Sequence, residues 1–189
     1  MSYSAFSESG KLISNGELVD VAIEAKRYLL KHPKGSVLVF EDQTARQVEI
    51  DFRGTKGDVR DRLTAMSKSN LALAAVPAGP GRPKLGVVAR EVTLLPSHWD
   101  WLALQPGGAS VTLRKLVETA KKKCSSRDQV RQAQEAAYRF MTVMAGNRPN
   151  YEEALRALYA KDRAKFKNFM EDWPKDIRDH ALSLAESTF

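Results

Sequence analysis

Between Pro80 and Arg131 the chain places ten lysines and arginines: Arg82, Lys84, Arg90, Arg114, Lys115, Lys121, Lys122, Lys123, Arg127 and Arg131. Four acids stand against them, Glu91, Asp100, Glu118 and Asp128, so ten less four gives +6 of the formal +7. The rest of the molecule is close to neutral. Clustered lysine and arginine neutralise phosphates and release their condensed counterions, and they raise a local positive potential. The partner this implies is a polyanion, with duplex DNA the first candidate, met by one segment rather than by the whole surface.

The elements that must position these cations can be read around them. Gly81-Arg82-Pro83-Lys84 is similar to the centre of an AT-hook, in which an extended arm lays arginine into a narrow minor groove. Proline stands where that motif usually has a further arginine, at Pro80. Val88 to Leu95 has high β-propensity, and Pro96 breaks a ladder and suits a helix start. The pattern predicts a short helix over 97–105 with Trp99, Leu102 and Trp101, a turn over Pro106-Gly107-Gly108-Ala109, and an N-cap at Ser110. The next helix carries Leu113, Leu116, Val117 and Ala120 as its buried stripe.

This order resembles the ribbon-helix-helix DNA-binding domains. There two chains pair their strands into a ribbon for the major groove, and the second helix's N-terminus holds a phosphate. The resemblance implies a homodimer. It implies that Arg90 and Thr93 face base edges and that Ser110 and its neighbours sit on phosphate; the AT-hook likeness would add Arg82 and Lys84 in the groove, and Arg114 and Lys115 would join the phosphate contacts. Lys121, Lys122, Lys123 and Arg127 would add backbone contacts. A helix-turn-helix alignment competes, with Ala103, Gly107 and Thr112-Leu113 at its familiar positions. The plainer alternatives are an ordinary strand and helix pair in one core, a solvated Gly/Pro linker, and cations placed favourably at a helix end.

Around this segment the chain reads as four blocks: a small α+β domain over 1–76, a basic Gly/Pro linker arm over 77–86, a strand-helix-helix unit over 87–124 and a helical region over 125–189. Ala5–Ser7 and Lys11–Ile13 read as strands around a Gly10 turn. Leu18, Val21, Ala22, Ala25, Tyr28 and Leu29 recur at helical spacing over 17–31. Ser36–Phe40 and Arg46–Phe52 read as a hairpin with Val48, Ile50 and Phe52 inward. A helix is expected near 58–66. The capping box Ser126-x-x-Gln129 predicts a new helix start, and further starts are expected at Asn150-x-x-Glu153, Asp162 and Pro174. The fold class is therefore α+β: a small N-terminal antiparallel sheet with a covering helix, a central strand-helix-helix and a helical C-terminal part.

Other chemistry has little support. The one cysteine, Cys124, excludes an internal disulfide and suits a reducing cytoplasm; three lysines before it would favour its thiolate. No secretory signal and no membrane-length apolar run is present. Asp176, Asp179 and His180 share the spacing of a partial metal site, for which a surface charge cluster is the competing explanation. No P-loop, G-x-G-x-x-G or G-x-S-x-G motif occurs, so no cofactor, metal or catalytic residue is assigned.

The run GRPKLGVVAREVTLLPSHWDWLALQPGGASVTLRKLVETAKKK, followed by AAYRFMTVMAGNRPNYEEALRALYAKD and WPKDIRDHA, is similar to a bacterial family catalogued as domain of unknown function 2239. The likeness extends to Leu18–Lys26 and Val37–Arg53, and implies a bacterial, cytoplasmic protein. The expectation is a non-enzymatic DNA-binding protein, a transcriptional regulator acting as a homodimer. An adaptor whose basic patch meets an acidic protein, or an enzyme of another chemistry, are the alternatives.

Overall fold

A computed structural model describes residues 1–74, 88 and 90–189, and the side chains of these except 67–74. The chain divides into two units, one made of Met1–Ala72 with Asp128–Phe189, the other of Leu73–Arg127.

In the first unit, the polar turn at Gly10 joins strand β1 (Tyr3–Ser7) to β2 (Leu12–Gly16) as an antiparallel hairpin. Gly10 has φ +85°, and a Cβ there would stand 2.5 Å from Ile177 Cδ1, so both the turn and the close approach require glycine. Helix α1 (Leu18–Lys31) buries Val21, Ala22 and Ala25, the face its periodicity predicts. Strand β3 (Val37–Glu41) then pairs antiparallel with β1, giving the order β2-β1-β3.

The second arm of the expected hairpin is different. Val48, Ile50 and Phe52 are half-buried while Gln47, Glu49 and Asp51 are exposed, so the alternation holds. Pairing is limited to one bridge, Phe40 with Gln47. Lys26 Nζ donates to Phe52 O at 2.6 Å, and Arg62 donates to the carbonyls of Asp51 and Arg53 at 2.7 and 2.5 Å. Side chains from two helices thus satisfy the carbonyls at the end of the segment, past the residues that face β3. Helix α2 (Lys56–Ala74) is longer than expected at both ends, and its Val59 and Leu63 pack with Ala22.

The principal core joins the two ends of the sequence. Phe6 and Phe40 meet Phe140 with ring centroids 5.2 Å apart in each pair. Around them lie Met141, Leu158, Phe166, Met170, Trp173 and Ile177. These come from α4 (Gly108–Ala145), α5 (Tyr151–Tyr159), α6 (Arg163–Phe169) and α7 (Lys175–Leu184), with Met170 and Trp173 from the turn between α6 and α7. Asp162 caps α6 as its sequence predicts, accepting from Lys165 N at 3.0 Å. Asn150 precedes α5 in the left-handed region, φ 58°, without a side-chain cap.

In the second unit, helix α3 (Pro96–Ala103) follows the extended Leu95 and begins at Pro96, as expected. The strand expected over 88–95 is absent among the described residues: Val88 and Arg90–Leu95 have no regular structure, and the sheet takes no strand from them. A strand exists only through a partner's hydrogen bonds, and none is offered to this segment among the described residues. Ser126 starts no helix, because α4 runs through it unbroken. No glycine or proline lies between Ala109 and Ala145, and strong helix formers flank Ser125-Ser126, so propagation overrides the local capping signal.

Candidate nucleic-acid interface

The first half of α4 carries most of the described cations of the second unit. Its entry is set by Gly107 and Gly108, at φ +89° and +74°, with Gly108 N donating to Gln105 O at 3.0 Å. A Cβ on Gly107 would lie 3.2 Å from the Val111 side chain. Because the helix begins at Gly108, Ser110 lies in its first turn instead of capping it. The Ser110 carbonyl accepts from Arg114 Nε at 3.1 Å.

At about 100° per residue, Arg114 and Lys121 fall in one row and Lys115 and Lys122 in a second, with Ser110 and Glu118 on the same side. Members of each row are about 10 Å apart along the axis. All four cations are exposed. Lys123 and Arg127, also exposed, turn toward the opposite side, so the predicted lysine triplet does not act as one face. Arg127 donates to Cys124 Sγ at 3.4 Å. Arg90 and Thr93 are exposed on the irregular segment before α3. Arg82 and Lys84 lie outside the described residues.

Several arginines elsewhere are held in ion pairs, while others, such as Arg46 and Arg60, are not. Arg131 meets Asp128 at 3.1 Å, Arg139 meets Glu135 at 2.9 Å, Arg156 meets Glu153 at 3.2 Å and Arg163 meets Glu186 at 2.9 Å. Among the described residues, Arg90, Arg114, Lys115, Lys121, Lys122 and Lys123 enter no ion pair. On the other side of α4, Leu113 and Leu116 join Leu94, His98, Trp101 and Leu102 around an apolar groove of about 300 Å³.

The suggested metal triplet does not converge. Asp176 accepts from Leu12 N at 2.8 Å, and Asp179 meets Arg178 at 3.4 Å. His180 packs against Phe6 and Phe140, with centroids 5.1 and 4.6 Å away, and its buried Nε2 has no partner. Burial pushes the imidazole below its ordinary range, against an opposing pull from Asp42.

A polar cluster in the first unit escaped sequence reasoning. Asp42 accepts from Ser4 Oγ at 2.6 Å, from Asn15 Nδ2 at 3.1 Å and from Ser2 Oγ. Its members come from three separate segments joined only by strand pairing, so no local motif marks them. The cluster ties β1, β2 and the turn after β3 together.

The fold is that of a mixed α+β protein with a three-stranded antiparallel sheet, helices, and a cation-rich helical second unit. The chain belongs to the family described as "Uncharacterized protein conserved in bacteria (DUF2239)", whose model matches residues 2–185. No curated protein and no solved structure matches it significantly. No helix among the described residues is long and apolar enough to cross a membrane.

Proposed function

We propose that this is a non-enzymatic DNA-binding protein that engages duplex phosphates with the first half of α4, acting as a homodimer. The observation that carries the proposal is the pair of rows Arg114/Lys121 and Lys115/Lys122, exposed on one side of a helix and outside every ion pair among the described residues. Paired arginines have their charge spent on a neighbour; these four retain theirs for a ligand. Ser110 and the first-turn amides add donors at the helix N-terminus.

Arg90 and Thr93 are kept as groove contacts, on a segment that forms a ribbon strand only when a second chain pairs with it. Arg82 and Lys84 would extend the contact as an arm. With phosphate contacts dominating, binding depends more on salt than on sequence. Fluorescence anisotropy with a labelled duplex at low salt tests the proposal. Binding that weakens strongly when Lys121 and Lys122 become alanine supports it. A duplex that stays unbound, or a variant that binds as wild type, refutes it. Preference for an acidic polypeptide over the duplex would favour the adaptor alternative instead.

A further inference from the structure

We infer that the first unit binds a small aromatic carboxylate in a recess between the turn after β3 and the second half of α4. The inference goes beyond the proposed function and is independent of DNA.

The recess is open and about 490 Å³ in volume, within the roughly 300–1,000 Å³ of small-molecule sites. Arg46 and Gln47, just past the end of β3, line one side. Tyr138, Arg139 and Val143 line the other, within an arc of about 140° on α4. Phe40 and Ala45, both buried, give it an apolar floor.

Contacts within the unit hold these walls in place. Arg139 Nη1 donates to Thr44 O at 3.0 Å and its Nη2 to Glu135 at 2.9 Å, which ties the turn to the helix. Ala45 N donates to Glu41 O at 2.8 Å, and Ala45 adopts the left-handed region at φ 50°. Glycine would hold that conformation with less strain, but the alanine methyl belongs to the principal core. A ligand therefore meets a surface already formed, which limits the ordering cost of binding.

The lining is one-signed. Among its described residues are two arginines and no acid. Arg139 shares its charge with Glu135, whereas Arg46 is exposed and enters no ion pair among the described residues. The side chains of Arg46, Gln47 and Tyr138 also make no hydrogen bond to another described residue, whereas the Thr142 hydroxyl is taken by Tyr138 O at 2.8 Å. A guanidinium, an amide and a phenol thus stand as donors around an apolar surface. That combination selects a ring with an anionic group at its edge, the ring against Tyr138 and Val143 and the anion on Arg46. A cation would meet two arginines without a counter-charge, and a bare hydrated anion would leave the apolar surface wet. One uncompensated guanidinium matches one negative charge. A phosphate monoester carries about 1.5 to 2, so a carboxylate fits better.

Proton–nitrogen correlation NMR of the full chain tests this, with naphthoate, naphthamide, acetate and naphthyl phosphate as titrants. Naphthoate should shift the amides of Arg46, Gln47 and Val143 saturably, and acetate at the same concentration should leave them unmoved. Naphthamide should bind about tenfold more weakly than naphthoate, and Arg46→Gln should weaken naphthoate by about the same factor while leaving naphthamide unchanged. Lys167→Gln, at an exposed lysine outside the recess, should change neither affinity. Val143→Glu should abolish binding; if it fails to fold, Arg46→Gln decides, because that side chain has no partner among the described residues to lose. Unshifted amides around the recess, equal affinity for naphthoate and naphthamide, wild-type binding by Arg46→Gln, or tighter binding of naphthyl phosphate overturns the inference.

Discussion

His180 shows how a residue's surroundings decide its role. Its spacing from Asp176 suggests a ligand, yet its ring is a core component between Phe6 and Phe140. Burial lowers its pKa from the ordinary 6.5, against the smaller effect of Asp42. The unfolded chain therefore takes up this proton before the folded one does. The contribution to stability is complete above about pH 6.5 and is lost progressively as pH falls toward the folded-state value. The melting temperature should decline across that window, and His180→Leu should flatten the decline; a profile unchanged by the substitution would contradict the account. Phe140→Ala should cost about 3–5 kcal/mol in denaturant melts, since it empties the centre of the aromatic cluster. Asp162→Ala should cost about 1 kcal/mol through the lost cap on Lys165 N.

Among the elements, α1, the Gly10 hairpin and the α6 cap were legible because each rests on local chemistry: helical spacing, a left-handed turn, a carboxylate facing free amides. The Arg46–Phe52 segment was half legible. Alternation fixes which side chains point inward, but only tertiary structure shows Lys26 and Arg62 taking its carbonyls. Helix α4 was misread at Ser126, where a local start signal yields to propagation through a stretch free of glycine and proline. Gly107 is where its entry is most sensitive. Gly107→Ala forces a left-handed alanine against Val111 and should cost about 1–2 kcal/mol, read as a lower melting temperature with weakened DNA binding.

At the scale of the whole molecule, the sequence localised the charge but could not show its geometry. The helical period divides Lys121 and Lys122 from Lys123, and ion pairing withdraws Arg131 from the set. The joining of residues 1–72 with 128–189 in one unit depends on contacts such as Phe6 with Phe140, which no local pattern encodes. One unit is built around a large apolar core, and the other carries on one face of α4 four exposed cations that enter no ion pair among the described residues. The most direct test is the salt dependence of duplex binding, measured as log K against log salt concentration. Four phosphate contacts per chain predict a slope of about −3 to −4 for each chain bound, reduced by roughly 2 in the Lys121→Ala, Lys122→Ala double variant. A slope near zero, or one that the double variant leaves unchanged, would contradict the claim that this face of α4 binds DNA.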